Sequence, residues 1–222
     1  MRTETISFST ANGDTTAFVA LPDRLSGKAI VVIQEWWGLN PHIKDIAERY
    51  SAEGFIAIAP DLYRGKQAKD PEEAGQMMNA LSLDDGLDTI RNSAAAARDK
   101  YDITKMGITG YCMGGTYALR AACVLDDFAA AAPFYGDVPE NDVLEKLGVP
   151  TVFISATKDG WIDQEKVAGL EQVAKQFDLP LRSVKYNADH AFFNDTRPEV
   201  YDAAAAKDAW SLVIGFFNEN LA

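Results

Sequence analysis

Met106-Gly107-Ile108-Thr109-Gly110-Tyr111-Cys112-Met113-Gly114-Gly115 carries an apolar strand pattern through Gly-x-Cys-x-Gly and straight into a helical pattern over Thr116–Leu125. This is the form of a nucleophile elbow, with Cys where Ser is more common. The elbow needs small residues on both sides of the nucleophile, because its sharp turn brings strand and helix backbones together. It lifts the Cys112 side chain out at a helix N-terminus, where the helix dipole favours a thiolate. Cys is also a common small buried hydrophobe, and Cys123, which has no such setting, reads as plain core.

Outward from the elbow, short apolar runs with little alternation recur at Ala29–Ile33, Phe55–Ala59, Met106–Thr109, Ala129–Phe134, Thr151–Ile154 and Leu181–Tyr186. Such runs mark strands buried on both faces. Between them, helical spacing appears near 42–53, 71–80, 84–100, 114–125, 163–177 and 199–220. Strand and helix therefore alternate, which predicts an α/β fold: a mostly parallel, doubly wound central sheet with helices on both faces. At the N-terminus, Thr3–Thr10 and Thr15–Leu21 alternate polar and apolar around Asn12-Gly13-Asp14 and read as a β-hairpin. The 222 residues suit one domain spanning 1–222, long enough to bury roughly 70 to 75% of the surface of the unfolded chain.

Charge narrows the classes of partner. Lys and Arg number 21 against 33 Asp and Glu, a net charge of −12, which repels phosphate backbones and anionic membrane surfaces. No apolar run approaches the roughly 20 residues that span a bilayer, and Met1–Thr5 lacks the start of a targeting segment. Two cysteines 11 positions apart in one helical segment make no disulfide framework. A soluble, cytoplasmic protein is expected, with no nucleic-acid or membrane partner. The charge leaves monomer and dimer equally open. Two His and two Cys at these spacings form no metal-ligand cluster, and no phosphate-binding glycine loop is visible, so neither metal nor cofactor is expected.

A thiol nucleophile commonly needs a base, and only His42 and His190 are available. His190 follows the last apolar strand run, at the sheet edge where loops carry chemistry, although a cap or surface position is the plain alternative. His42, next to Asn40-Pro41, reads as a helix cap or as part of the cleft rim. Asp159, in the loop Ser155-Ala156-Thr157-Lys158-Asp159-Gly160-Trp161, is the candidate to orient the imidazole. Asp163 and Asp189 compete, but Asp163 suits a helix cap and Asp189 would have to turn back on its own neighbour. After another central strand comes Gln34-Glu35-Trp36-Trp37-Gly38, where an acidic residue at a strand end is costly without a partner or a task. Glu35 could reach the elbow thiol or make a structural hydrogen bond to backbone. The N–H groups of Trp36 and Met113 are placed to form an oxyanion hole.

Taken together, Gln-Glu-Trp-Trp-Gly-Leu-Asn at 34–40, Pro-Asp-Leu-Tyr at 60–63, Gly-Tyr-Cys-Met-Gly-Gly at 110–115, the Asp159 loop and His190-Ala191-Phe192 resemble the dienelactone hydrolase (carboxymethylenebutenolidase) family of α/β-hydrolases. The resemblance covers nearly the whole chain. It implies a single α/β-hydrolase domain and a Cys112–His190–Asp159 triad. It further implies that Glu35 controls the protonation of the thiol and that the N–H groups of Trp36 and Met113 hold the oxyanion. The implied substrate is a small ester or lactone, typically a dienelactone with a free carboxylate.

On that last point the chain departs from the family pattern. Members bind the carboxylate partly through an Arg and a Tyr on the helix after Pro-Asp-Leu-Tyr, and the segment Gly75–Leu81 has neither. A family Arg follows the catalytic His closely, whereas here Arg197 comes seven positions later and suits a surface salt bridge or helix start as well as a pocket. Trp37, Tyr63 and Arg64 are further pocket candidates.

The expected chemistry is attack of the thiolate on an ester or lactone carbonyl, a thioester intermediate, and its hydrolysis by water activated by His190. Amides are poor substrates for such a thiol, because the thiolate leaves more readily than an unprotonated nitrogen. Two rival readings are a thiol redox protein using Cys112 and Cys123, and a non-catalytic small-molecule binding protein. The first needs a disulfide across about three helical turns, roughly 16 Å. The second would be marked by a missing triad member, and all three are present.

Overall fold

Eight strands in one sheet carry the protein, described over residues Met1–Ala222 in a computed structural model. In chain order they are β1 (Arg2–Thr10), β2 (Gly13–Leu21), β3 (Lys28–Ile33), β4 (Ile56–Pro60), β5 (Lys105–Tyr111), β6 (Ala130–Phe134), β7 (Thr151–Ala156) and β8 (Leu181–Tyr186). The helices are α1 (Pro41–Ala52), α2 (Pro71–Ala80), α3 (Leu83–Lys100), α4 (Met113–Val124), α5 (Asn141–Leu144), α6 (Gln164–Gln176) and α7 (Ala203–Asn220). The spatial order β1-β2-β4-β3-β5-β6-β7-β8 is antiparallel at β1/β2 and β2/β4 and parallel from β4 onward. No helix is long and apolar enough to cross a membrane.

The unalternating runs are apolar because both faces of the sheet are covered. In β3, Ala29, Val31 and Ile33 join one apolar cluster with Ile90 of α3, Leu119 of α4 and Val167 of α6. Ile30 and Val32 face the other way, against Ile43 and Ile46 of α1 and Val213 and Phe217 of α7. A period of two distributes one strand between two cores.

Several boundaries differ from the sequence expectation for local reasons. The hairpin turns at Ala11 and Asn12, since Gly13 and Asp14 already pair with Thr10 and Ser9, and Gly13 takes φ +113°. The last helix begins at Ala203 rather than 199, because the Asp202 side chain accepts from the N–H groups of Ala204 and Ala205 and stops the helix from reaching back. The four-residue α5 went unseen because it is too short to display a period.

The pairing register delivers four loops to one edge. Ile33 pairs with Gly110, so Glu35 and Cys112, each two residues further on, leave the sheet at the same level. Ala156 pairs with Tyr186, which sends the Asp159 and His190 loops out side by side. The turn between β5 and α4 is tight: a Cβ on Gly114 would sit 2.3 Å from the Ile33 carbonyl oxygen and 2.6 Å from that of Gln34. Backbone cannot give way there. Gly114→Ala is therefore expected to cost about 3 kcal/mol of stability, which a shift of the urea midpoint at unchanged slope would report.

Candidate active site

Cys112 occupies the junction of β5 and α4 with φ 56° and ψ −119°, a conformation that a side chain resists. Its N–H donates to the Phe134 carbonyl at 3.2 Å, and its own carbonyl accepts from Gly115 and Thr116. The turn thus pins the backbone and leaves the thiol at the floor of a cavity of about 320 Å³. Burial pushes the thiol pKa up, the charge of Glu35 adds to this, and the N–H groups of Met113 and Trp36 oppose it from beside the sulfur. The helix N-terminus alone would favour a thiolate, but desolvation outweighs it here, and the resting group is a thiol.

Asp159 faces the imidazole of His190, with Oδ2 2.6 Å from Nδ1. Its Oδ1 accepts from the N–H groups of Trp161 at 2.8 Å and Ile162 at 2.9 Å, so the carboxylate has one orientation. Burial would raise its pKa, but the contact with His190 and those two donors hold it below the usual carboxylate value. Of the competing acids, Asp163 caps α6 by accepting from Lys166 N–H, and Asp189 makes no hydrogen bond to the ring, which Asp159 takes. The ring of His190 lies edge-on to Tyr135 at 5.0 Å and Trp161 at 5.4 Å. Its Nε2 has no hydrogen-bond partner and is buried.

Glu35 is 2% exposed, and burial pushes its pKa up to about 7 against the opposing hydrogen bond from Asn194 and the charges of His190 and Arg197. Its Oε2 accepts from Asn194 Nδ2 at 2.7 Å. Neither Glu35 nor His190 Nε2 hydrogen-bonds the Cys112 thiol in this state. Among the pocket candidates, Trp37 and Arg197 line the cavity with Trp36. Arg197 is shared with Glu199, which accepts from Nε at 2.8 Å.

Two candidates lie elsewhere. Arg64 turns away, because Asp85 offers it a two-pronged carboxylate at 2.6 and 2.9 Å, and it also donates to Thr10. Tyr63 packs beneath the elbow instead of lining the cavity, its hydroxyl 3.2 Å from Met113 Sδ. His42 is no cap: Asn40 accepts from Ile43 N–H in that role, and His42 is buried with Nδ1 3.3 Å from Asp195.

Sequence reading missed three contributors. Met78, from α2, lines the cavity on the helix where the family pattern has its Arg and Tyr, and its signal was only the helical period. Trp161 was visible as a loop neighbour of Asp159 but not as a wall. Asn194, whose amide donates to Glu35, carried no signal in the sequence. The cavity wall is consequently apolar, with Glu35, His190 and Arg197 as its charged or titratable polar side chains besides the thiol. No group of three or more His, Cys, Asp or Glu is arranged to hold a metal.

Over residues 15–221 the chain matches the model of the Dienelactone hydrolase family. It is 35% identical over 216 residues to Protein usf of Aquifex pyrophilus, covering 92% of this chain and 93% of that one. It is 34% identical over the same length and coverage to the Aquifex aeolicus (strain VF5) protein named "Putative carboxymethylenebutenolidase". The crystal structure of "Putative Dienelactone Hydrolase" from Klebsiella pneumoniae superposes with a TM-score of 0.88 at 28% identity, over 98% of this chain and 99% of that one.

Proposed function

We propose, for a chain that belongs to the dienelactone hydrolase family and is accordingly a hydrolase of carboxylic esters or lactones, that Cys112 is the nucleophile of a Cys112–His190–Asp159 triad acting through a thioester. The observation that carries this reading is the strained elbow holding Cys112 in the same cavity as His190, whose other ring nitrogen meets a fixed carboxylate.

In the first half-reaction the thiol proton passes to Glu35 as sulfur bonds to the carbonyl carbon, and the N–H groups of Met113 and Trp36 receive the developing oxyanion. Collapse breaks the carbon–oxygen bond, and the proton taken by Glu35 ends on the departing alkoxide. In the second half, His190 takes a proton from water while the oxygen attacks the thioester. Sulfur leaves, recovers that proton, and the carboxylic acid is released. Asp159 keeps the Nδ1 side of the ring protonated, so that Nε2 is the basic nitrogen. A cavity of about 320 Å³ walled by Trp36, Trp37, Trp161 and Met78 supports a small substrate with an apolar or aromatic body.

Incubation of the purified protein with short p-nitrophenyl esters and small lactones, with and without a free carboxylate, tests the reading when combined with acid quenching and peptide mass spectrometry. An acyl group labile to hydroxylamine is expected on the Cys112 peptide. Turnover with no adduct on that peptide, together with full activity of Cys112→Ala, sinks the proposal.

Glu35→Gln is expected to lower turnover on the order of 10²-fold, the scale of a positioned proton acceptor. Stability should move the other way. A buried carboxyl with a raised pKa supports the fold when protonated and burdens it as pH climbs from the ordinary carboxylate range through about 7. The Gln variant should therefore melt no lower than wild type above that pH, which separates lost chemistry from lost folding. Unchanged turnover would leave His190 as the sole base.

A further inference from the structure

Glu35 and Asn194 are 159 positions apart, at the end of β3 and in the loop after His190, and both are buried, at 2% and 1% exposure. Asn194 Nδ2 donates to Glu35 Oε2 at 2.7 Å. The other end of the amide is also committed: Oδ1 accepts from the Thr196 N–H at 3.0 Å and from the Thr196 hydroxyl at 2.6 Å. A flipped amide would set Nδ2 against the Thr196 N–H and Oδ1 against a carboxylate, so one orientation prevails. The backbone is held as firmly. Asn194 N–H donates to Ala191 at 2.9 Å, its carbonyl accepts from Arg197 N–H at 3.1 Å, and the adjacent Asp195 pairs with Arg49 of α1.

We propose that Asn194 is a positioning residue for Glu35, a neutral donor locked by Thr196 that holds the carboxylate in the cavity of the Cys112 thiol as its proton acceptor. This rests on the reading of Glu35 given above. The groups facing Glu35 are Cys112 from the elbow, Tyr135 just past β6, and His190 and Arg197 from the loop after β8. Burial raises the carboxyl to about 7, and the hydrogen bond from Asn194 is the largest opposing influence. A donor to the charged form holds a carboxyl pKa down, so loss of the amide leaves the acceptor protonated over a wider range of pH. A cation in its place would stabilise the carboxylate further and make it a weaker base toward the thiol. A neutral amide holds the geometry and spares the basicity.

The test follows the acylation rate, read as the p-nitrophenol burst from p-nitrophenyl butyrate, across about pH 5 to 9. The proteins are wild type, Asn194→Leu, Thr196→Val and Glu35→Gln, all carrying Cys123→Ala. Wild type is expected to lose rate on the acid side of about pH 7, and Glu35→Gln to lack that limb. Asn194→Leu should move the limb up by about one pH unit, a tenfold slower burst below it. Thr196→Val, which keeps the amide and removes one of its two locks, should move it the same way by less. This variant decides the matter if Asn194→Leu does not fold. A purely structural role would lower the rate evenly at every pH. A limb unmoved in the folded variants overturns the role of Asn194 and leaves that of Glu35 standing, whereas the wild-type limb persisting in Glu35→Gln overturns both.

Discussion

Cys112→Ala is expected to lower ester turnover on the order of 10⁴-fold or more, while Cys123→Ala stays within about twofold of wild type. Both thiols are buried, and burial raises the pKa of each, so intrinsic acidity does not separate them. Surroundings do. Cys112 has the elbow, two backbone N–H groups beside its sulfur, and Glu35 and His190 in its cavity. Cys123 sits near the far end of α4, packed in the apolar cluster on the other side of the sheet from Cys112. Steady-state rates on p-nitrophenyl acetate, normalised to folded fraction by circular dichroism, provide the comparison. Equal loss in the two variants would favour a redox partnership of the cysteines over hydrolysis.

The second large effect is expected from Asp159→Asn, on the order of 10³-fold or more in turnover. In the proposed triad the carboxylate, 2.6 Å from Nδ1 of His190, accepts the ring proton there in a hydrogen bond and so leaves Nε2 without one. An amide can turn its NH₂ group toward Nδ1, which moves the ring proton to Nε2 and removes the base that activates water. Because Glu35 takes the thiol proton in the proposed sequence, acylation should survive better than hydrolysis of the thioester. The variant should therefore show a burst of p-nitrophenol, one per site, followed by a very slow steady state. Loss of the burst in proportion to the steady state would instead place His190 in the first half-reaction. A stability signature accompanies this. The depressed pKa of Asp159 supplies stability above the ordinary Asp value, about 3.9, that disappears as pH falls through the lower folded value. In the Asn variant that acid-side dependence should be reduced.

How much was legible in advance varied with the range of the interaction. The elbow was readable because its constraint acts between neighbours in sequence: Gly110, Cys112 and Gly114 lie within one turn, and the close approach of Gly114 to Ile33 and Gln34 demands a residue without Cβ whatever surrounds it. The helix start at Asp163 likewise depends on a side chain reaching an N–H three residues on, whereas at α1 the cap is Asn40 and not His42. The order Cys112, Asp159, His190 could be read because each follows a strand that ends at the same edge of a parallel sheet.

The wall of the cavity followed a different rule. Arg64 was a reasonable pocket candidate until Asp85 claimed it, and Met78 became a wall residue only through the docking of α2. Both outcomes depend on where connections between elements settle, which no local pattern encodes. The partner of Glu35 is the clearest case, since an acidic residue at a strand end announces only that burial must be compensated. Thiol and backbone were the two partners the sequence offered, and the chain instead answered from 159 positions away with Asn194.

Alone, then, the amino-acid sequence determined the alternating architecture and the strained turn, and singled out the thiol, imidazole and carboxylate proposed as the triad, because periodicity, backbone sterics and side-chain chemistry act over a few residues. Tertiary structure alone decided that burial keeps the thiol protonated at rest and raises Glu35 to about 7, and that Asn194 restrains it. Those properties arise from desolvation and long-range pairing, which come into being only when the sheet edge closes over its loops.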